Sequence, residues 1–204
     1  MMPVALATED ELSEAAGVKL LSEHPVLAET PPMLLRKNGF GYLRSRMDSW
    51  RQMANRQIVI VLTDLDKVAC PVILLKDWLG AERQHSENLL LRIAEREVES
   101  WLLADHEALV KLIGKKIQFP VQPDNLSDPK QHLLGLAKKA HRAVREDLVA
   151  QQGAIARQGI GYNSRLVKWI QTEWSPERAA TRSPSLLRAR NVMREAANRV
   201  MQAK

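Results

Sequence analysis

The stretch Ile58–Asp66, IVIVLTDLD, decides the fold. A short run of β-branched and aliphatic residues reads as a buried strand. It ends in Asp64 and Asp66, two residues apart. Residues i and i+2 of a strand point the same way. The expectation is therefore two carboxylates aimed at one point, just past the carboxyl end of the strand. Open α/β sheets keep their ligands there. Two like charges so close require a cation, a shared proton or full solvation. An aspartate after a strand also commonly caps the next turn. The pair reads as the centre of a magnesium site, with Mn²⁺ as the alternative ion, because hard cations suit carboxylate-and-water ligation.

Working outward, Pro3–Thr8 (PVALAT) is a strand candidate that leads into a helix from about Glu11 to Glu23. A proline-rich passage follows, through Pro25, Pro31 and Pro32. Gly39 and Gly41 introduce a basic helix, FGYLRSRMDSWRQMAN. Beyond the central strand, Pro71 opens the helix PVILLKDWLG, which Gly80 closes. Asn88–Ala94 reads as a third buried strand running into one long helical pattern, AEREVESWLLADHEALVKLIG. Apolar strands alternating with helices indicate a parallel α/β sheet. The stretch from Gly114 to Pro129 is loop-like. Lys130–Gln152 is helical and basic, GIGYN is a turn, and Ser164–Trp174 is a short helix. Ser175-Pro176 and Ser183-Pro184 each look like an N-cap followed by proline, the second opening a final helix from about Ser185 to Met201. The expected organisation is an α/β core over residues 1–115, flanked by helices, with a helical C-terminal section over 116–204 packed on it.

Bulk properties narrow the function classes. The chain has 204 residues, a net charge of +6 and one cysteine, Cys70. A basic balance makes nucleic acid a plausible partner. One cysteine precludes an intramolecular disulfide framework and fits a reducing cytoplasm. The opening MMPVALATEDELSE is not an ordinary secretory leader. No apolar run approaches the roughly 20 residues needed to cross a bilayer. The expected protein is cytoplasmic and free of the membrane, and a homo-oligomer is open.

Each candidate residue carries a bland reading beside the chemical one. Glu9 lies where the first strand ends, so it meets Asp64 and Asp66 if the two strands are neighbours. Glu9, Glu11 and Glu14 also suit the first turn of a helix, where acids favour the macrodipole. Glu97, Trp101 and Asp105 share a face if the long helix is continuous, with Glu99 on another. One of Glu97 or Glu99 then completes a second metal position or orients a metal-bound water, unless these acids only pair with Arg92 and Arg96. Arg44, Arg46, Arg51, Lys138, Lys139 and Arg182 are candidates for binding nucleic-acid phosphates; charge runs are otherwise solvated faces. Met47, Trp50 and Met53 read as core. The scattered histidines and lone cysteine do not support zinc. A haloacid-dehalogenase phosphatase and a glycosyltransferase also carry DxD after a strand. No glycine-rich phosphate loop is present, however, which lowers nucleotide binding generally.

Taken in order, a glutamate after the first strand and a DxD after a later one resemble a Toprim-type metal domain. SEAAGVKLL, FGYLRSRMDSW, VLTDLDKVACP, RIAEREVESWLLAD, GIGYNSRLVKWI and WSPERAATRSPSL extend the likeness over nearly the whole chain. They make it similar to a bacterial Toprim-like family often encoded beside an ABC-type or AAA ATPase in phage-defence loci. REVESWLLAD is the most distinctive block. Common relatives read Glu-Gly-x-Thr/Ser-Glu after strand one, whereas this chain reads EDELSE, which leaves Glu9, Glu11 and Glu14 open as the first ligand. The resemblance implies Mg²⁺-assisted hydrolysis of phosphodiester bonds, with DNA favoured over RNA. Glu9, Asp64, Asp66 and Glu97 would be catalytic, and Glu14 and Glu99 further metal ligands. A non-catalytic or weakly catalytic effector that binds an ATPase partner is the alternative, and a small-molecule phosphatase is a weaker third.

Overall fold

The computed structural model describes residues 2–37, 41–80, 86–115, 117–151, 153 and 155–203. The first half alternates strand and helix: β1 (Val4–Thr8), α1 (Glu11–Leu21), β2 (Met33–Arg36), α2 (Tyr42–Ser45), α3 (Met47–Ala54), β3 (Ile58–Asp64), α4 (Pro71–Leu79) and β4 (Leu89–Ala94). The second half is helical: α5 (Glu99–Leu103), α6 (His106–Ile113), α7 (Pro129–Ala137), α8 (Arg142–Leu148), α9 (Tyr162–Thr172), α10 (Pro176–Ala180) and α11 (Pro184–Gln202). The strands form one parallel sheet in the order β2-β1-β3-β4. This is the α/β sheet flanked by helices, with a helical C-terminal section, that the sequence predicts.

Alternation along the strands sorts their side chains between two layers. Leu6, Ile60, Leu62, Leu90 and Ala94 face α1 and the C-terminal helices. Ala5, Ala7, Val59, Val61 and Leu91 face α2, α3 and α4, where Leu43, Met47, Trp50 and Leu74 are buried. Because both faces are covered, the central strands are apolar throughout rather than alternating. Met47 and Trp50 are core residues, as expected, and the Trp50 indole donates to the Leu43 carbonyl. On the opposite face α1 lies close to β1. A Cβ at Gly17 would sit 2.8 Å from a Leu6 methyl, so this position requires the small residue.

The winding reverses at the centre of the sheet. From β1 the chain steps outward to β2, crosses to β3, and continues to β4 on the other side. The carboxyl ends of β1 and β3 therefore flank a topological switch point, where a crevice forms because the connecting helices leave on opposite faces.

Four local expectations are corrected. The long helix after β4 is two helices, because Asp105 breaks it by accepting the Ala108 N–H as the N-cap of α6. Glu97 precedes α5, so the shared helical face of Glu97, Trp101 and Asp105 does not exist. The basic stretch from Lys130 is also two helices, α7 and α8, with Lys138 and Lys139 in the turn between them. Finally, β2 emerges directly after Pro31-Pro32, where sequence shows only a proline-rich passage; it is a short edge strand with Met33 and Leu34 exposed. Gly39, Phe40, Lys116 and Gln152, which bounded sequence segments above, lie outside the described residues. The two Ser-Pro starts are as expected: Ser175 and Ser183 cap α10 and α11 through their hydroxyls.

Candidate functional site

The switch point is lined with acids. Glu9 follows β1 directly, Asp64 is the last residue of β3, and Glu97 and Glu99 follow β4. Because β1, β3 and β4 are parallel neighbours, their carboxyl ends lie side by side, and residues distant in sequence share one edge. The Thr63 hydroxyl donates to Glu9 Oε1 at 3.1 Å, which joins the ends of β1 and β3. Asp64 Oδ1 accepts the Val98 N–H at 2.9 Å, which joins β3 to the segment after β4. Glu97 Oε2 accepts the Lys130 N–H at 2.8 Å, at the start of α7. Glu99 Oε1 accepts from the Tyr162 hydroxyl at 2.8 Å, in the interior.

Asp66 departs from the simple strand argument. It lies beyond β3 with φ of 49°, so its carboxylate is not aimed by strand pleat. Its backbone N–H bonds to the Arg96 carbonyl at 2.8 Å, and the Arg96 guanidinium returns a bond to the Asp66 carbonyl at 2.9 Å. These bonds hold a non-glycine residue in the left-handed region.

Electrostatics show that the acids form one group. Burial raises the proton affinity of Asp64 well above the usual carboxylate range, and the charges of Glu99, Asp10, Asp66 and Glu97 raise it further. Glu9 is shifted upward by burial and by Asp66 and Asp10, although the Thr63 bond opposes this. Glu97 is raised by burial, with Asp128 and Asp66 adding. Burial also raises Asp66, against Lys67. Glu99, 4% exposed, is pushed up to about 7 by burial, despite the nearby Lys130 ammonium and the Tyr162 hydroxyl. The Tyr162 phenol is itself raised by burial and by Glu99.

Lys130 is a cation of this edge, beside Arg96 and Lys67 at the Asp66 loop. Its ammonium lies 4.0 Å from Glu99 and 5.1 Å from the centre of the Tyr162 ring. No group of three or more His, Cys, Asp or Glu side chains among the described residues converges in a ready-made metal cage. The carboxylates share a field and an edge rather than a single contact point.

Other candidates lie elsewhere. Glu14 and Glu11 both pair with Arg36 of β2, at 3.4 and 3.1 Å. Asp105 is fully buried and held by Arg178 at 2.7 and 2.9 Å, so it serves the junction of α6 and α10. Arg44 pairs with Asp77. Arg51 bonds Asp48 and the Trp78 and Leu79 carbonyls, so it ties α3 to the end of α4. Arg46, Lys138 and Lys139 are exposed, and Arg182 is half-buried beside Thr181.

Sequence reasoning missed Lys130, Tyr162 and Thr63 as parts of this edge. One signal was available for Lys130: Asp128-Pro129 is the same cap-then-proline start as Ser175-Pro176, and a helix start offers N–H groups to an anion. Here Asp128 caps α7, and the anion is Glu97. Tyr162 lies 63 residues from Glu99, and no local pattern links them. Comparison with protein-family models, curated proteins and solved structures found no match to this chain.

Proposed function

We propose that the acidic strand ends bind Mg²⁺ or Mn²⁺ and that the protein is a metal-dependent nuclease of Toprim type, hydrolysing phosphodiester bonds and preferring DNA to RNA. The observation that supports this reading is the placement of Glu9, Asp64, Asp66, Glu97 and Glu99 along one edge at the switch point, with proton affinities raised by burial. Carboxylates with perturbed proton affinities gather at functional sites. The donor set fits the ion, since it consists of carboxylate oxygens with no sulfur or imidazole.

When bound, such an ion polarises a phosphodiester and lowers the pKa of its water. The chain's own groups hold the carboxylates ready for it. Thr63 orients Glu9, the Val98 N–H orients Asp64, and the Lys130 N–H orients Glu97. Glu99, titrating near neutrality, holds or releases a proton beside Lys130. Lys138, Lys139 and Arg46 offer exposed charge for substrate phosphates. A cytoplasmic role in phage defence beside an ATPase follows from the sequence resemblance.

Nicking of supercoiled plasmid with Mg²⁺ or Mn²⁺, compared between wild type and Asp64→Asn, tests the reading. Cleavage by the wild type alone is the expected result, and equal cleavage by both overturns it. A second reading, an effector subunit docked on an ATPase with little catalysis of its own, gains from exposed Val72 and Ile73 on α4 and Met33 and Leu34 on β2. Activity that appears only when the ATPase is added favours it. Among the described residues, no helix is long and apolar enough to cross a membrane.

A further inference from the structure

At the far edge of the sheet, a half-buried arginine has no ion-pair partner among the described residues. Arg92 lies on β4, inside a strand otherwise composed of leucine, isoleucine and alanine. Its Nε is shielded from solvent and has no hydrogen-bond partner. Among the described residues the side chain forms no ion pair, in contrast to Arg36, Arg44, Arg51, Arg165, Arg178, Arg188, Arg190 and Arg199. Burial lowers its proton affinity, and the charge of Arg188 lowers it further, with Glu195 offsetting part of this. A buried guanidinium nitrogen without a partner is costly and calls for an explanation, a bound ion among them.

The space beside it is a small cavity of about 110 Å³ between α4 and α11, lined by Pro71, Leu75, Ser185, Arg188 and Arg92 itself. This volume is too small for an ordinary cofactor and suits one compact group. Apolar walls on the α4 side strengthen any charge interaction within it. Arg188 stands at its mouth, 58% exposed, and shares its charge with Glu95 at 3.0 Å. Two guanidinium groups, one deep and one at the rim, match an anion with several oxygens.

We infer that Arg92 and Arg188 form a phosphate seat at the outer edge of β4. The seat stands apart from the acidic edge and does not depend on a metal there, since neither arginine belongs to that cluster. Arg92 is two residues from the end of β4, about 7 Å along the strand. The phosphate is either free, as inorganic phosphate or a monoester, or part of a nucleic-acid chain; the chemistry of recognition is the same.

Thermal melting without divalent metal tests this, using wild type, Arg92→Met and Arg188→Gln in chloride, acetate or phosphate at matched ionic strength. At about 20 mM, phosphate is expected to raise the wild-type melting temperature by about 3 °C, and acetate by less. Neither variant should respond to phosphate. In chloride, Arg92→Met should melt above wild type, because it removes an unpaired buried charge. A merely structural arginine would give the opposite sign. If Arg92→Met fails to fold, Arg188→Gln decides, because that side chain is largely solvated. A short single-stranded oligonucleotide that shifts the wild type at micromolar concentration, again lost in Arg188→Gln, assigns the phosphate to nucleic acid. A response to inorganic phosphate alone assigns it to a free ligand. No wild-type response to either probe, an equal response to acetate, or equal phosphate responses in all three proteins overturns the inference. Plasmid nicking plays no part in this test, so failure of the nuclease reading remains separately visible.

Discussion

The carboxylates at the strand ends and those on the flanks of the molecule are treated in opposite ways. On the flanks several acids meet an arginine: Glu11 and Glu14 meet Arg36, Glu23 meets Arg190, Asp105 meets Arg178 and Asp147 meets Arg165. At the strand ends Glu9, Asp10, Asp64, Asp66 and Glu97 form no ion pair among the described residues, and Glu99 has only Lys130 at 4.0 Å. The chain carries 30 lysines and arginines, so a shortage of cations is not the reason. Among the described residues, the acids without an ion pair that raise one another's proton affinity gather at the switch point of the sheet. A set of carboxylates that repel one another lowers stability, which is a common signature of a site shaped for a ligand rather than for folding.

The contrast can be broken at several points. The largest effect is expected from Asp64→Asn. It should reduce metal-dependent cleavage by more than about 100-fold, beyond the loss typical of residues that only support a metal ligand. It should also raise the melting temperature without metal, since it removes a charge repelled by Glu99, Asp10, Asp66 and Glu97. A lower melting temperature together with retained cleavage would place Asp64 with the structural acids.

Arg178→Ala should act in the opposite sense. It leaves the fully buried Asp105 without its guanidinium, at a cost of about 3 kcal/mol, the lower end for a broken buried pair because Arg178 is partly solvated. Denaturant unfolding measures this. Cleavage per folded molecule should be unchanged, and a selective loss of cleavage would show that Asp105 belongs to the site.

The pH dependence sharpens the comparison further. Glu99 is raised from 4.5 to about 7, so between those values the folded protein binds more protons than the unfolded chain. Stability therefore falls as pH rises through that window and levels off above it. Glu9, Asp64, Asp66 and Glu97 are shifted the same way and add to the fall. The difference in melting temperature between wild type and Glu99→Gln isolates the Glu99 share. A difference curve that favours wild type more as pH rises would contradict the assignment. Mg²⁺ should stabilise most at the upper end of the window, where the carboxylates are ionised.

The smallest effect is expected from Arg36→Ala. Its pairs with Glu11 and Glu14 are partly solvated, so the change in stability should stay below about 1 kcal/mol. Cleavage should be unaffected. A large loss of cleavage would draw Glu14 back into the site.

Strands β1, β3 and β4 were legible because a strand buried on both faces needs a continuous apolar run, and such runs stand out. The edge strand β2 was not, since an exposed four-residue strand has no comparable constraint. Glu9 and Asp64 could be read as partners once their strands were placed side by side. The position of Asp66 could not, because its backbone conformation is set by bonds with Arg96 across the loop. The break at Asp105 was hidden for a similar reason. Helical periodicity continues through it, and only Arg178, 73 residues later, explains why the carboxylate turns inward.

Local sequence, then, determined the sheet, its two apolar faces and the acids at the ends of its strands, because burial and strand pleat act on neighbouring residues. Tertiary structure alone decided which acids stay unpaired, since that depends on where distant arginines, Lys130 and Tyr162 are carried by the C-terminal helices. Coulomb energy follows distance in space, and separation along the chain does not encode it.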